Sequence, residues 1–373
     1  MPASMPKSSV LGSVYRPLRL GSLGLLRAAG VFNRVRDSRW RDQRLMILCY
    51  HGISLDEEHL WRPATYISPE LFKERLEALS CGGYAVLPLG EAIDRLYRKA
   101  LPSRSVAITF DDGTYDFYVH AFPLLKQRGF PATVYQTTYY CDYDRPIFNL
   151  ACSYILWKQR GKVFDVGSRF GLPNTMDLRT ENSRQAIVTE LVTRARDRKS
   201  PEAEKNQIAE ELAHAVGVDY EELVSKRILQ LMRPHEVEHL AKEGVDFQLH
   251  THRHRTPLDE ALFRKEIQDN RRRLQSMIGP KPLTHFCYPS GLYELEFLPW
   301  LQAEGVISGT TCDPGLATTG NNPLLLPRFV DTTQSTSLEF EGWMSGAAAL
   351  VPRRGNRIQR HPAYVPQATG TYI

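Results

Sequence analysis

The chain has 373 residues, 42% of them hydrophobic and 24% charged, with a formal net charge of +5. This is globular composition, which excludes an intrinsically disordered chain, and so mild a charge gives no ground for a nucleic-acid partner. Six cysteines without a CxxC pair exclude a cysteine zinc cluster and thioredoxin-like redox chemistry and fit a reducing compartment, and no apolar run is long enough to span a bilayer.

Residues 1–44 stand apart. The first acidic residue is Asp37, after Lys7, Arg16, Arg19, Arg27, Arg34 and Arg36. A helical wheel groups Arg16, Arg27 and Arg34, with Leu18, Leu25, Ala29 and Phe32 opposite. The expectation is a basic helical or tail segment, with residues 14–36 able to lie on an anionic membrane surface. A helix docked on the domain or a loose tail explains the same residues, and an organelle transit peptide shares the acid-poor composition. The apolar stretch is broken by arginines and followed by no small-residue cleavage site, so a secretory signal is not expected. The chain reads as cytoplasmic, peripheral to the inner face of the membrane.

The main domain is expected over 45–352. LMILCY, residues 45–50, is a short apolar run of the buried-strand kind, with His51 and Gly52 at its end. Residues 68–80 predict a helix capped by Ser68, with Pro69 at its first position. YAVLPL reads as a strand with a helix from about Gly90, SVAITF (105–110) as a buried strand, FPLLKQRG as a helix ending at Gly129, and ATVYQTT (132–138) as a strand. Alternation of this kind implies a parallel sheet or barrel, where chemistry collects at the C-terminal strand ends. Residues 142–230 break the rhythm and read as a mostly helical insertion over the mouth. Residues 353–373, rich in Pro, Gly and Arg, read as a loosely ordered tail.

Three motifs stand out. Asp111-Asp112-Gly113 follows SVAITF directly. Adjacent carboxylates at a strand end repel each other, and they suit a cation ligand beside a base; an Asp-Asp-Gly turn capping a helix is the ordinary alternative. His250-Thr251-His252-Arg253-His254 follows the strand-like VDFQL and gathers three of 11 histidines. On one helical turn His250 and His254 share a side. In an extended segment His250 with His252, or His252 with His254, would converge instead, and a histidine-rich surface loop needs no metal at all. His235-Glu236-Val237-Glu238-His239 matches the HExxH of metalloproteases, but Pro234 puts His235 at a helix start and the segment is polar.

Together these residues resemble the polysaccharide deacetylase superfamily, the NodB-homology domain of carbohydrate esterase family 4, from about Leu45 to Thr332. The resemblance implies a distorted parallel (β/α) barrel with a helical insertion. TFDDG, residues 109–113, is similar to the family's first motif, which implies Asp111 as base and Asp112 as metal ligand. His250-Thr251-His252-Arg253-His254 is similar to H-[ST]-x-x-H, which implies His250 and His254 as the other ligands. Cys287-Tyr288-Pro289-Ser290-Gly291 resembles the third motif, which implies the Ser290 N–H as oxyanion donor. Many relatives carry an arginine at the start of that motif, holding the base. Cys287 stands there instead, and Arg328 is the candidate substitute. The late Leu-x-His that supplies a general acid has no counterpart after Arg328, so His51, in the Cys49-Tyr50-His51 that resembles an early family motif, takes that role. The implied activity is metal-dependent hydrolysis of acetyl groups, mainly N-acetyl, from a polysaccharide or glycan precursor, with zinc as the cation and cobalt, nickel or iron as fitting substitutes. The competing readings are a degenerate deacetylase fold that binds glycan or a biosynthetic partner, and a protease on the HExxH helix.

Overall fold

The computed structural model describes residues 9–351, with side chains from Arg16 onward. The tail expected over 353–373 therefore lies outside the described residues. Eight strands form the main sheet: β1 (Met46–Tyr50), β2 (Ala85–Val86), β3 (Ser105–Phe110), β4 (Thr133–Gln136), β5 (Asp246–Leu249), β6 (His285–Cys287), β7 (Ser308–Thr310) and β8 (Phe329–Val330). Their order is β7-β6-β5-β4-β3-β1-β8, and every pairing is parallel. β2 shares one edge of β3 with β4: it pairs with Ser105 and Val106, and β4 with Thr109 and Phe110. The sheet curls into a half-barrel, so all the strands' C-terminal ends open on one mouth.

The burial pattern explains the strand sequences. β1 and β3 are buried along their whole length, which accounts for uninterrupted apolar runs in place of alternation. Crossover helices cover the outside. The helix Pro69–Cys81 starts as its sequence dictates, with Ser68 Oγ accepting from the Leu71 N–H at 3.2 Å. The crossover Phe122–Arg128 stops at Gly129, which adopts φ 64°.

The insertion after β4 contains the helices Phe148–Lys158, Glu181–Asp197, Glu202–Val216 and Tyr220–Ser225 and one short antiparallel hairpin, Val163–Asp165 with Thr175–Asp177. Its first helix is buried nearly all round, and the next two pack against it.

The N-terminal helices Ser9–Ala28 and Val31–Arg36 lie against the helix Ser337–Ser345. Leu23 and Phe32 are buried there. Arg16 pairs with Glu339 and Arg27 with Glu341, while Leu18 and Leu25 are 64% and 75% exposed. The single wheel of the sequence does not hold, because Gly30 at φ 71° ends the first helix and starts the second on another axis. Two of the three grouped arginines turn to acids of the domain. No helix among the described residues is long and apolar enough to cross a membrane.

Candidate active site

Apart from Arg328, which precedes β8, each chemical side chain sits where its strand runs out. At the end of β3, Asp111 N–H donates to Tyr50 O at 2.9 Å, and the chain then turns sharply. Asp112 has φ 69° and Gly113 φ 78°. A Cβ at Gly113 would lie 2.0 Å from Gln136 Oε1, so only glycine fits. At the end of β5, Thr251 (φ 61°) and His254 (φ 51°) are also left-handed, and Ser290 after β6 has φ 57°. Among the described residues, four of nine such non-glycine positions thus fall in these three loops, and backbone strain of this kind persists where the surroundings over-determine it.

Those surroundings are visible. Thr251 Oγ1 accepts from Arg255 N–H at 3.0 Å and closes the turn that brings His254 back over His250. The long helix Glu260–Ile278 braces the loop from behind. Its Asn270 Oδ1 accepts from His250 N–H at 3.0 Å, and its amide donates to Gln136 O at 2.9 Å. Glu266 accepts from Arg253 N–H at 2.8 Å and from Arg255 Nε at 2.7 Å.

The result is a compact donor set. Asp112 Oδ1 lies 3.1 Å from His250 Nε2 and 3.2 Å from His254 Nε2, and all three residues are buried. His250 Nδ1 donates to Cys287 O at 2.9 Å, which leaves the Nε2 lone pair free. His254 is buried, which keeps its imidazole below its ordinary pKa and neutral. Burial pushes Asp112 up, but His254 and His250 hold it well below the carboxylate range. Burial lowers His250 too, but Asp112 and Asp111 outweigh it and raise that imidazole. Two imidazoles and one carboxylate with converging donor atoms fit a divalent cation of the zinc type. Cys49–His51–Asp111 and Asp111–His250–Cys287 also place donors within 4.8 Å of one another. They fit a cation less well. Burial raises Cys49 and Cys287, so both thiols stay protonated, and Asp111 is already engaged.

Arg328, fully buried, grips Asp111 with two parallel bonds, Nη1 to Oδ1 and Nη2 to Oδ2, each 2.7 Å. Its Nε donates to Thr311 O at 2.9 Å, and its Nη1 to Thr109 Oγ1 at 3.2 Å. Burial alone would raise Asp111; the Arg328 guanidinium and, after it, His51 and His250 hold it below the usual range. His51 Nε2 stands 3.6 Å from Asp111 Oδ2. Ser290 is exposed in the loop beside them.

His252 does not join the donor set. Its Nδ1 lies 2.8 Å from Thr138 Oγ1 and its ring packs on Tyr139. The extended HxH pairings do not form, because the backbone at Thr251 is left-handed and not extended. The HExxH segment lies on the helix Pro234–Lys242 and contributes no side chain to the donor set. His235 is 71% exposed, His239 packs on Tyr118, and Glu236 pairs with Arg227 and caps the helix through Arg233 N–H. It is a structural carboxylate. Sequence reasoning missed Asn270 and Glu266, since polar residues on a long charged helix carry no sign of facing inward.

The family model described as Polysaccharide deacetylase matches residues 98–306. A curated Bacillus subtilis relative, YxkH, assigned by name to the polysaccharide deacetylases, is 36% identical over 93 residues, 25% of this chain. The match spans about a third (31%) of that relative's length. Among solved structures, a Streptococcus pyogenes deacetylase in complex with acetate superposes with a TM-score of 0.53 at 19% identity, over 81% of this chain and 98% of that one. IcaB from Ammonifex degensii gives 0.50 at 18%, over 81% and 97%. A Bacillus cereus polysaccharide deacetylase gives 0.50 at 15%, over 81% and 69%. At these identities the structural likeness shows a shared fold.

Proposed function

The chain belongs to the polysaccharide deacetylase family, and from that premise we propose that it is a metal-dependent hydrolase releasing acetate from N-acetylated sugars of a polysaccharide or glycan precursor. The observation that carries this reading is the pairing of two differently held carboxylates on adjacent residues. Asp112 faces two imidazoles, and Asp111 faces a guanidinium. Simple cation or glycan binding does not call for the second arrangement.

Asp112, His250 and His254 would hold the cation. When bound, it supplies Lewis-acid polarisation of an acyl oxygen and lowers the pKa of water. Arg328 keeps Asp111 ionised and fixes its orientation, and Asp111 takes the proton of the attacking water. The Ser290 N–H contributes a hydrogen bond to the oxyanion. His51, beside Asp111, gives a proton to the departing amine. The balance is one water consumed per amide C–N bond broken, yielding acetate and a free amine. Zinc suits this donor set, and cobalt, nickel or iron share its ligand preferences.

The test is acetate release by the purified full chain from a panel of N- and O-acetylated oligosaccharides, after chelation and after re-addition of each metal. Release that disappears on chelation and returns with metal supports the reading. Release from no member of the panel under any metal would overturn it.

A further inference from the structure

Beside the donor set, the helical insertion leaves a cavity of about 660 Å3 between itself and the loops at the barrel mouth. That is the size of a site for a small ligand or a short run of sugars. One wall is aromatic: Tyr139 and Tyr143 follow β4, with ring centroids 5.9 Å apart. Burial pushes the Tyr143 phenol up to about 12, so it stays protonated.

Five cationic side chains and one carboxylate, Glu202, line the rest of the cavity among neutral residues. Arg253 and Arg255, on either side of His254, both line the cavity; they share the buried carboxylate of Glu266, and Arg253 also lies 3.8 Å from Asp269. Across from them, Lys205 is matched by Glu202 at 2.7 Å, but Arg196 has only its exposed neighbour Asp197 at 3.1 Å. Lys199 forms no ion pair among the described residues. Positive charge thus lies beside tyrosine rings in one cleft, with the Arg253 guanidinium 5.3 Å from the Tyr139 ring centroid. Pyranose rings offer apolar C–H faces that pack on aromatic rings, and guanidinium and ammonium groups take carboxylate or phosphate oxygens.

We infer that this cavity is a binding subsite for a sugar bearing a carboxylate or phosphate, next to the acetylated sugar on the same polymer. The inference rests on the deacetylase reading for the occupant of the neighbouring donor set. The insertion supplies Arg196 and Lys199, so the anionic preference belongs to this chain's elaboration of the barrel.

Isothermal titration of the full chain with an oligogalacturonate, a phosphomannan oligosaccharide and neutral cellohexaose tests it, and the first two probes separate the two anion sources. At least one anionic probe should bind, and cellohexaose about tenfold more weakly or not at all. Arg196→Glu with Lys199→Glu should weaken the anionic probe about tenfold, as should raised salt, while Arg196→Lys with Lys199→Arg should retain binding. Unchanged cation content and unfolding temperature would show that the charge-reversed variant is folded. Equal affinity for cellohexaose, equal binding by the charge-reversed variant, or no binding of either anionic probe would overturn the subsite. Anion binding without acetate release from any glycan would instead remove the deacetylase reading and leave the subsite.

Discussion

Asp111 and Arg328 are 217 positions apart in sequence yet form a bidentate, fully buried pair. Removing one partner of such a pair leaves an uncompensated charge, which typically costs about 3–5 kcal/mol. Arg328→Leu should therefore lose about that much in denaturant unfolding, and a near-neutral change would mean that the carboxylate finds another partner. His250→Ala and His254→Ala should each lose the cation on dialysis, read by metal analysis. His252→Ala should keep it, because His252 turns to Thr138 and Tyr139. Adjacent chemistry was legible in the sequence: Asp111-Asp112 and the three histidines are contiguous, and both follow strand-like runs. The choice of His250 with His254 came from family resemblance, since spacing alone left three pairings open. So did Arg328, because no local pattern links it to a carboxylate two hundred residues earlier.

At the level of elements, the alternation of strand and helix was readable because buried strands such as β3 are apolar throughout. The helix Glu260–Ile278 was not read from its pattern, though it holds the metal-site loop in place. Its inward polar residues, Glu266 and Asn270, are indistinguishable in sequence from its many exposed charges. Asn270→Leu keeps volume but strands His250 N–H and Gln136 O; a buried group left unpaired typically costs about 1–3 kcal/mol. Lower unfolding stability and weaker cation retention are both expected, and a loss of stability alone would make Asn270 a packing residue only. The N-terminal helices carry a second lesson. Gly30 redirects the chain, so a wheel drawn through it misassigns Phe32. Burying Leu23 and Phe32 contributes roughly 1.5–3 kcal/mol each. Deleting residues 1–44 should therefore lower the unfolding temperature clearly; an unchanged value would show that this docking is dispensable.

Over the whole molecule, stability should depend on pH through carboxyl groups that the chemistry does not use. Burial pushes Asp116 up to about 8, although it accepts from Ile53 N–H at 3.0 Å. Its folded value lies above the unfolded value of about 4. Its contribution to stability is therefore full below about pH 4 and is lost as pH rises through about 8. Asp116→Asn keeps an acceptor without the charge. Between pH 5 and 7 the unmodified protein should lose roughly 1 kcal/mol per pH unit relative to this variant; parallel stability profiles would show that Asp116 is ionised when folded. The parallel half-barrel gathers the ends of β1, β3, β5 and β6 at one mouth, and this placement lets two adjacent aspartates serve different partners. The most direct measurement of that division of labour is acetate release by Asp111→Asn, compared with the unmodified chain at matched metal content. The account predicts a variant that retains its cation and loses acetate release by about a hundredfold or more, the scale of a general base. Retained activity at full metal content would contradict the assignment of Asp111 as the base.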